Sequence, residues 1–207
     1  MKPEDFPLQA NALCEVCRLF GEREWCLATS GNFSVRLENN RCMITQSGRD
    51  KSRLSPDDLM ICDLHGAAVD QQLKPSAETP LHTCLYELDA GIGAVLHTHS
   101  VAATLLSRRA GSELAISGFE MQKAFAGVTS HQDTLKLVVF DNDQDMAALA
   151  TRVENAWADD VFSVPGFLIR AHGLTAWGSD LAAAKRHVEG FEFLLQCAWQ
   201  ELLVRPS

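Results

Sequence analysis

From about Phe6 to Glu24 the apolar residues recur at helical spacing, with Leu8, Leu13, Val16, Leu19 and Phe20 on one broad face. That pattern predicts an amphipathic helix. The period then changes: Thr29-Ser30-Gly31-Asn32 reads as a turn, and Phe33-Ser34-Val35-Arg36-Leu37 alternates as a half-buried strand does, up to an Asn39-Asn40 hairpin signal. Cys42 to Thr45 and Leu59 to Cys62 read as further strands, with a turn-like Ser55-Pro56-Asp57-Asp58 between them. Glu78 to Leu88 is patterned as a helix and precedes an apolar strand around Val95; Ser100 is placed to cap a helix from Val101 to Arg108. Leu135 to Phe140 is a β-rich run, after which Asp141 or Asn142 opens a predicted helix through Trp157. Phe167 to Arg170 and Leu174 to Trp177 read as short strands, and Ser179-Asp180 caps a long helix from Leu181 to about Leu203. Helices and strands interleave with hairpin-like pairs, and no repeat, low-complexity tract or linker interrupts them. The expectation is one α/β domain over 1–207 with a mixed or antiparallel sheet.

Composition narrows the function classes. With 207 residues, 46% of them hydrophobic and 22% charged, the chain can bury a full core and has the balance of a soluble globular protein. A net charge of −9 argues against nucleic acid or an anionic membrane as partner, while a small anionic substrate needs only local positive charge. Met1-Lys2-Pro3-Glu4-Asp5 lacks the basic and apolar regions of a signal peptide, and no apolar run approaches the ~18–20 residues of a membrane span. Seven scattered cysteines make a poor disulfide framework and suit a reducing cytoplasm. Cys14-Glu15-Val16-Cys17 has metal-site spacing, but without a second pair it reads as helix thiols.

The chemistry is concentrated in a few places. Ala94-Val95-Leu96-His97-Thr98-His99 is an apolar strand ending in His-x-His, and strand alternation puts both imidazoles on one side. With His172, which follows another strand, they form a three-histidine set that leaves a divalent metal one open position. His65, His82, His131 and His187 lack such company, and His82 and His187 fall inside predicted helices. Two polar turns, Thr29 to Ser34 and Gln46 to Arg53, carry Gly31 and Gly48 among hydroxyl and amide side chains. Such turns present backbone N–H groups to an anion, and Lys51, Arg49 or Arg53 would add charge; taken singly, each reads as a β-turn with solvated charges. Two acids stand apart. Glu78 lies where a helix begins and reads first as a helix-dipole acid. Glu120, in the uncharged window Ser117 to Gln122, reads equally as a solvated turn residue or as a carboxyl raised by apolar neighbours and suited to proton exchange.

Taken together, Thr29 to Arg36, Ser47-Gly48, Pro75-Ser76-Ala77-Glu78, His97-Thr98-His99 and His172-Gly173 resemble, in order and spacing, the class II aldolase/adducin family. The resemblance implies an α/β/α sandwich around a mixed, largely antiparallel sheet, and a homotetramer with active sites near subunit boundaries. It implies one zinc per subunit on His97, His99 and His172, and a sugar phosphate as substrate. Its phosphate turns correspond to Ser30, Gly31, Asn32, Ser47 and Gly48, with Lys51 assisting. Glu120 occupies the place of an acid/base in the family's dehydratases, and Glu78 matches the catalytic acid of its aldolases. The aldolases and epimerases also use a tyrosine; the chain has one, Tyr86, inside a predicted helix, so the likeness leans toward dehydration.

Overall fold

The structure, a computed structural model, describes residues 1–204. The opening amphipathic segment forms α1 (Pro7–Glu22), which buries Leu13, Val16, Cys17 and Phe20. The strands are β1 (Asn32–Leu37), β2 (Arg41–Thr45), β3 (Leu59–Asp63), β4 (Ala94–Thr98), β5 (Glu113–Ile116), β6 (Leu135–Phe140), β7 (Gly166–Ile169) and β8 (Gly173–Gly178). The remaining helices are α2 (Thr79–Leu88), α3 (Val101–Arg109), α4 (Met146–Ala158) and α5 (Leu181–Val204). Asn39 and Asn40, both left-handed at φ 58° and 53°, make the β1–β2 hairpin turn as expected for that dipeptide. Ser100 caps α3 by accepting from the Ala103 N–H at 3.1 Å.

All eight strands join one sheet in the order β3-β2-β1-β4-β8-β7-β6-β5, in which only β6 and β7 run parallel. Strand alternation divides the core. Phe33, Val35, Ala94 and Leu96 face α1, α3 and α5, whereas Val95, Phe167 and Trp177 face α2 and α4. The result is the three-layer α/β/α arrangement around a mostly antiparallel sheet. Two details depart from the sequence reading. Edge strand β5 has no counterpart in the sequence reading, because four residues, two of them exposed, are too few to establish an alternating pattern. Helix α4 starts at Met146 rather than near Asp141: Asp145 accepts from the Ala147 and Ala148 N–H groups at 3.0 and 3.1 Å, while Asp141 pairs with Arg170 at 2.6 Å.

Candidate metal centre and substrate cleft

The inner strands β4 and β8 build the centre. His97 lies opposite Thr175 in their antiparallel register, and His99 follows just beyond the end of β4. His172 comes from the tight β7–β8 turn, where Ala171 is left-handed at φ 53° and the next residue, Gly173, sits against β4. A Cβ on Gly173 would lie 2.0 Å from the Thr98 carbonyl oxygen, so glycine there brings the His172 turn up to the His-x-His end. The three Nε2 atoms converge: His97 to His99 at 2.8 Å, His97 to His172 at 3.3 Å and His99 to His172 at 3.2 Å. A tetrahedral zinc with Zn–N bonds of about 2.0–2.1 Å holds its nitrogens about 3.3 Å apart, close to this spacing. The outward ring nitrogens have partners. His97 Nδ1 meets Thr175 Oγ1 at 3.0 Å and His172 Nδ1 meets Asn142 Oδ1 at 3.3 Å, which leaves each Nε2 free to ligate.

Glu78 completes the cluster: its carboxylate and the three imidazoles offer ligand atoms within 4.8 Å of one another. It stands at the N-cap of α2 but makes no cap bond with its side chain, which instead reaches His172 Nε2 at 2.9 Å and His97 Nε2 at 3.4 Å. It thus stands at the helix start as expected, with its carboxylate turned to the histidines rather than to the cap. Burial opposes ionisation of Glu78, but His97, His172 and a hydrogen bond from Asn32 outweigh it and hold the carboxyl well below its ordinary range. Burial also lowers His97, and burial with neighbouring His97 and His172 lowers His99 to about 3, a direction that favours the unprotonated ring a metal takes as ligand.

Both polar turns open on the same cleft, a cavity of about 270 Å³ lined by Ser30, Gly31, Asn32, Ser47, Gly48, Lys51, Glu78, His99 and His172 among others. Gly31 and Gly48 are left-handed, at φ 77° and 74°. Lys51 is buried, with Nζ donating to the Thr29 and Arg49 carbonyls at 3.1 and 2.7 Å; two of its three donors are thus occupied. Arg49 and Arg53 do not line the cleft and pair instead with Asp58 and Asp50. Gln46, Ser76, Ala77, Asn142, Gln144 and Met146 also line it; the first three lie inside segments the sequence marks, whereas Gln144 and Met146 carry no signal there. Asn142 lies before α4 rather than opening it, and Thr175 is placed opposite His97 only by the β4–β8 register.

Glu120 behaves otherwise. It heads a short 3-10 helix (Glu120–Ala124), its side chain is 71% exposed, and it does not line the cleft of its own chain. Lys123 bonds to it at 2.5 Å and His131 lies 3.7 Å away. These partners, Lys123 first, lower its carboxyl rather than raise it, so the expectation of a carboxyl raised by apolar neighbours is corrected. The neighbouring apolar residues do not cover it: Met121 is itself exposed, and Phe125 packs inward on Phe191.

Comparison with known proteins agrees with this arrangement. Residues 11–199 match the Class II Aldolase and Adducin N-terminal domain. A protein of Pectobacterium atrosepticum named methylthioribulose-1-phosphate dehydratase is 50% identical over 200 residues, 96% of this chain and 97% of that one. One of Yersinia enterocolitica with the same name is 48% identical over 198 residues, covering 95% and 94% of the two chains. Among solved structures, an L-fuculose 1-phosphate aldolase superposes with a TM-score of 0.77 at 22% identity, covering 96% of this chain and 89% of its own. The L-fuculose-1-phosphate aldolase of Thermus thermophilus superposes with 0.76 at 26% identity, covering 96% and 98%. With its sheet, its histidine cluster and a matched stretch running nearly end to end, the chain belongs to the class II aldolase and adducin family.

Proposed function

We propose that this chain removes water from 5-methylthioribulose 1-phosphate, giving 2,3-diketo-5-methylthiopentyl 1-phosphate in methionine salvage. The observation that carries the reading is the 50% identity, over 96% of the chain, to a relative named for that dehydration. The convergence of three imidazoles and the Glu78 carboxylate supports it, being suited to a divalent ion, which we take to be zinc, one per subunit. When bound there, zinc supplies Lewis-acid polarisation of the sugar carbonyl and so acidifies the adjacent C–H. His97, His99 and His172 hold it. The turns at Ser30, Gly31 and Asn32 and at Ser47 and Gly48 receive the phosphate, with Lys51 stiffening them through the Thr29 and Arg49 carbonyls. Ala77 and Met146 offer the methylthio end an apolar wall.

Dehydration requires a base that takes the C3 proton and an acid that protonates the departing C4 hydroxyl; the resulting enol then tautomerises to the diketone. Glu78 is the carboxylate beside the histidines and orders their surroundings. Glu120 takes and returns the proton, entering from a neighbouring subunit of a homotetramer, as its exposure and its place outside its own cleft allow. The whole of 1–207 acts as one domain. Its seven free thiols fit a cytoplasmic enzyme, and no described helix is long and apolar enough to cross a membrane. We assign it no nucleic-acid or membrane partner.

One observation favours a second reading, an aldolase or epimerase acting on another sugar phosphate: Glu78, not Glu120, adjoins the histidines in this chain. Against it, Tyr86 is 1% exposed and bonded to Ser34 in the core, where it cannot protonate a product. Incubating the zinc enzyme with methylthioribulose 1-phosphate separates the two. Loss of water with the carbon chain intact is expected; carbon–carbon cleavage would replace this reading with the aldolase.

A further inference from the structure

Strand β1 and helix α2 are joined by a line of buried polar side chains. The outward face of β1 presents Asn32, Ser34 and Arg36; one face of α2 presents Glu78, His82 and Tyr86. Two strand residues advance about 6.6 Å and four helical residues about 6.0 Å, so the two rows stay in step. Asn32 Nδ2 bonds to Glu78 Oε2, and Asn32 Oδ1 meets His82 Nε2 at 2.5 Å. His82 Nδ1 meets Ser34 Oγ at 2.7 Å, and Ser34 Oγ meets the Tyr86 hydroxyl at 2.7 Å. Beyond, the Arg36 guanidinium lies 4.8 Å from the centre of the Tyr86 ring. Asn32, Ser34, His82 and Tyr86 are at most 4% exposed, so each bond must be made within the protein.

The polarity of this line follows from the orientation of the Asn32 amide. Asn32 turns its NH2 to the Glu78 carboxyl and its oxygen to His82, so the amide donates to one and accepts from the other. His82 must then donate from Nε2, and its bare Nδ1 accepts from the Ser34 hydroxyl. That hydroxyl accepts in turn from Tyr86. We propose that His82 is a positioning residue: as the neutral Nε2–H tautomer it fixes the orientation of Asn32, through which Glu78 receives an N–H at the metal centre. This rests on the functional reading only in taking Glu78 as part of the reacting site. Burial, the main cause, also keeps the His82 imidazole neutral, lowering it to about 3.

The test compares the zinc-loaded wild type with His82→Leu and His82→Gln. Glutamine retains an amide N–H near the Nε2 position; leucine retains only bulk. His82→Leu should lose about 10- to 100-fold in kcat with KM and zinc content little changed, and His82→Gln should recover much of that loss. Equal losses in the two variants, or a loss accounted for by missing zinc, overturn the proposal. Nitrogen NMR of histidine-labelled wild type reads the tautomer directly, even if His82→Leu does not fold. A neutral Nε2–H ring supports the assignment, and an Nδ1–H or doubly protonated ring overturns it. Should the wild type fail to dehydrate its substrate, the functional reading falls while the tautomer measurement still decides this arrangement.

Discussion

Single residues carry charge states that the sequence does not display. Glu192, on α5, is 2% exposed; its Oε1 accepts from Thr98, the residue between His97 and His99, at 2.5 Å, while Oε2 has no partner. Burial raises its carboxyl to about 7 from an ordinary 4.5, against the pull of the Ser100 and Thr98 hydroxyls. From about pH 4.5 to 7 the folded protein therefore keeps a proton that the unfolded chain has released. The stability this contributes is present below that window and is lost as pH rises through about 7. Glu192→Gln has no such titration, so its stability relative to wild type should rise between pH 5 and pH 8, by roughly 3 kcal/mol at most. Denaturant unfolding at the two pH values checks it; parallel curves would show that Glu192 stays ionised in the fold. The histidine triad was legible because His-x-His on a strand end is a local pattern with a period. Glu192 was not, since its environment comes from β4, far along the chain; Glu78 stood out as a candidate acid, but its contacts with His97 and His172 did not.

At the scale of elements, the periods of 3.6 and 2 located most helices and strands, because each buries one face against the sheet or the core. What they could not supply was which faces meet. His82 carries no functional signal in the sequence because the match between the rows 32, 34, 36 and 78, 82, 86 appears only once β1 and α2 are laid together. The junction of β4 and β8 is similarly non-local, and it is where the metal centre should be most sensitive to backbone. In Gly173→Ala the new Cβ would meet the Thr98 carbonyl at 2.0 Å, with the His97 ring at 3.3 Å behind it. The nearest obstacle is backbone, so no rotamer relieves it and the strands must separate, carrying His172 away from His97. We expect a loss of roughly 1–3 kcal/mol in stability and weaker zinc binding. A denaturant midpoint and a zinc titration would show both; unchanged zinc affinity would mean that the turn moves without the histidine.

At the scale of the whole molecule, the open question is where the proton-transferring carboxylate comes from. Glu120 is 71% exposed, and its carboxyl is satisfied by Lys123 and His131, with no neighbour of its own chain bringing it to the cleft. An exposed acid can serve a site built elsewhere if subunits meet there, and symmetry then completes every site by the same contact. Glu120→Gln alone should lose ~10²–10⁴-fold in rate while keeping zinc, because it retains the shape but not the proton acceptor. His97→Ala/His99→Ala should bind no zinc and be inactive, with Glu120 intact. Neither variant alone should turn over, but if Glu120 serves a neighbouring subunit, co-expressing the two and purifying the hybrids would pair the histidines of one subunit with the Glu120 of another. If subunits mix at random, about a quarter of the sites become complete and a like fraction of wild-type activity returns. A hybrid as inactive as its parents would mean that Glu120 acts within its own chain or not at all. Near-normal turnover by Glu120→Gln alone would transfer the proton chemistry to Glu78, the one carboxylate that adjoins the histidines among the described residues.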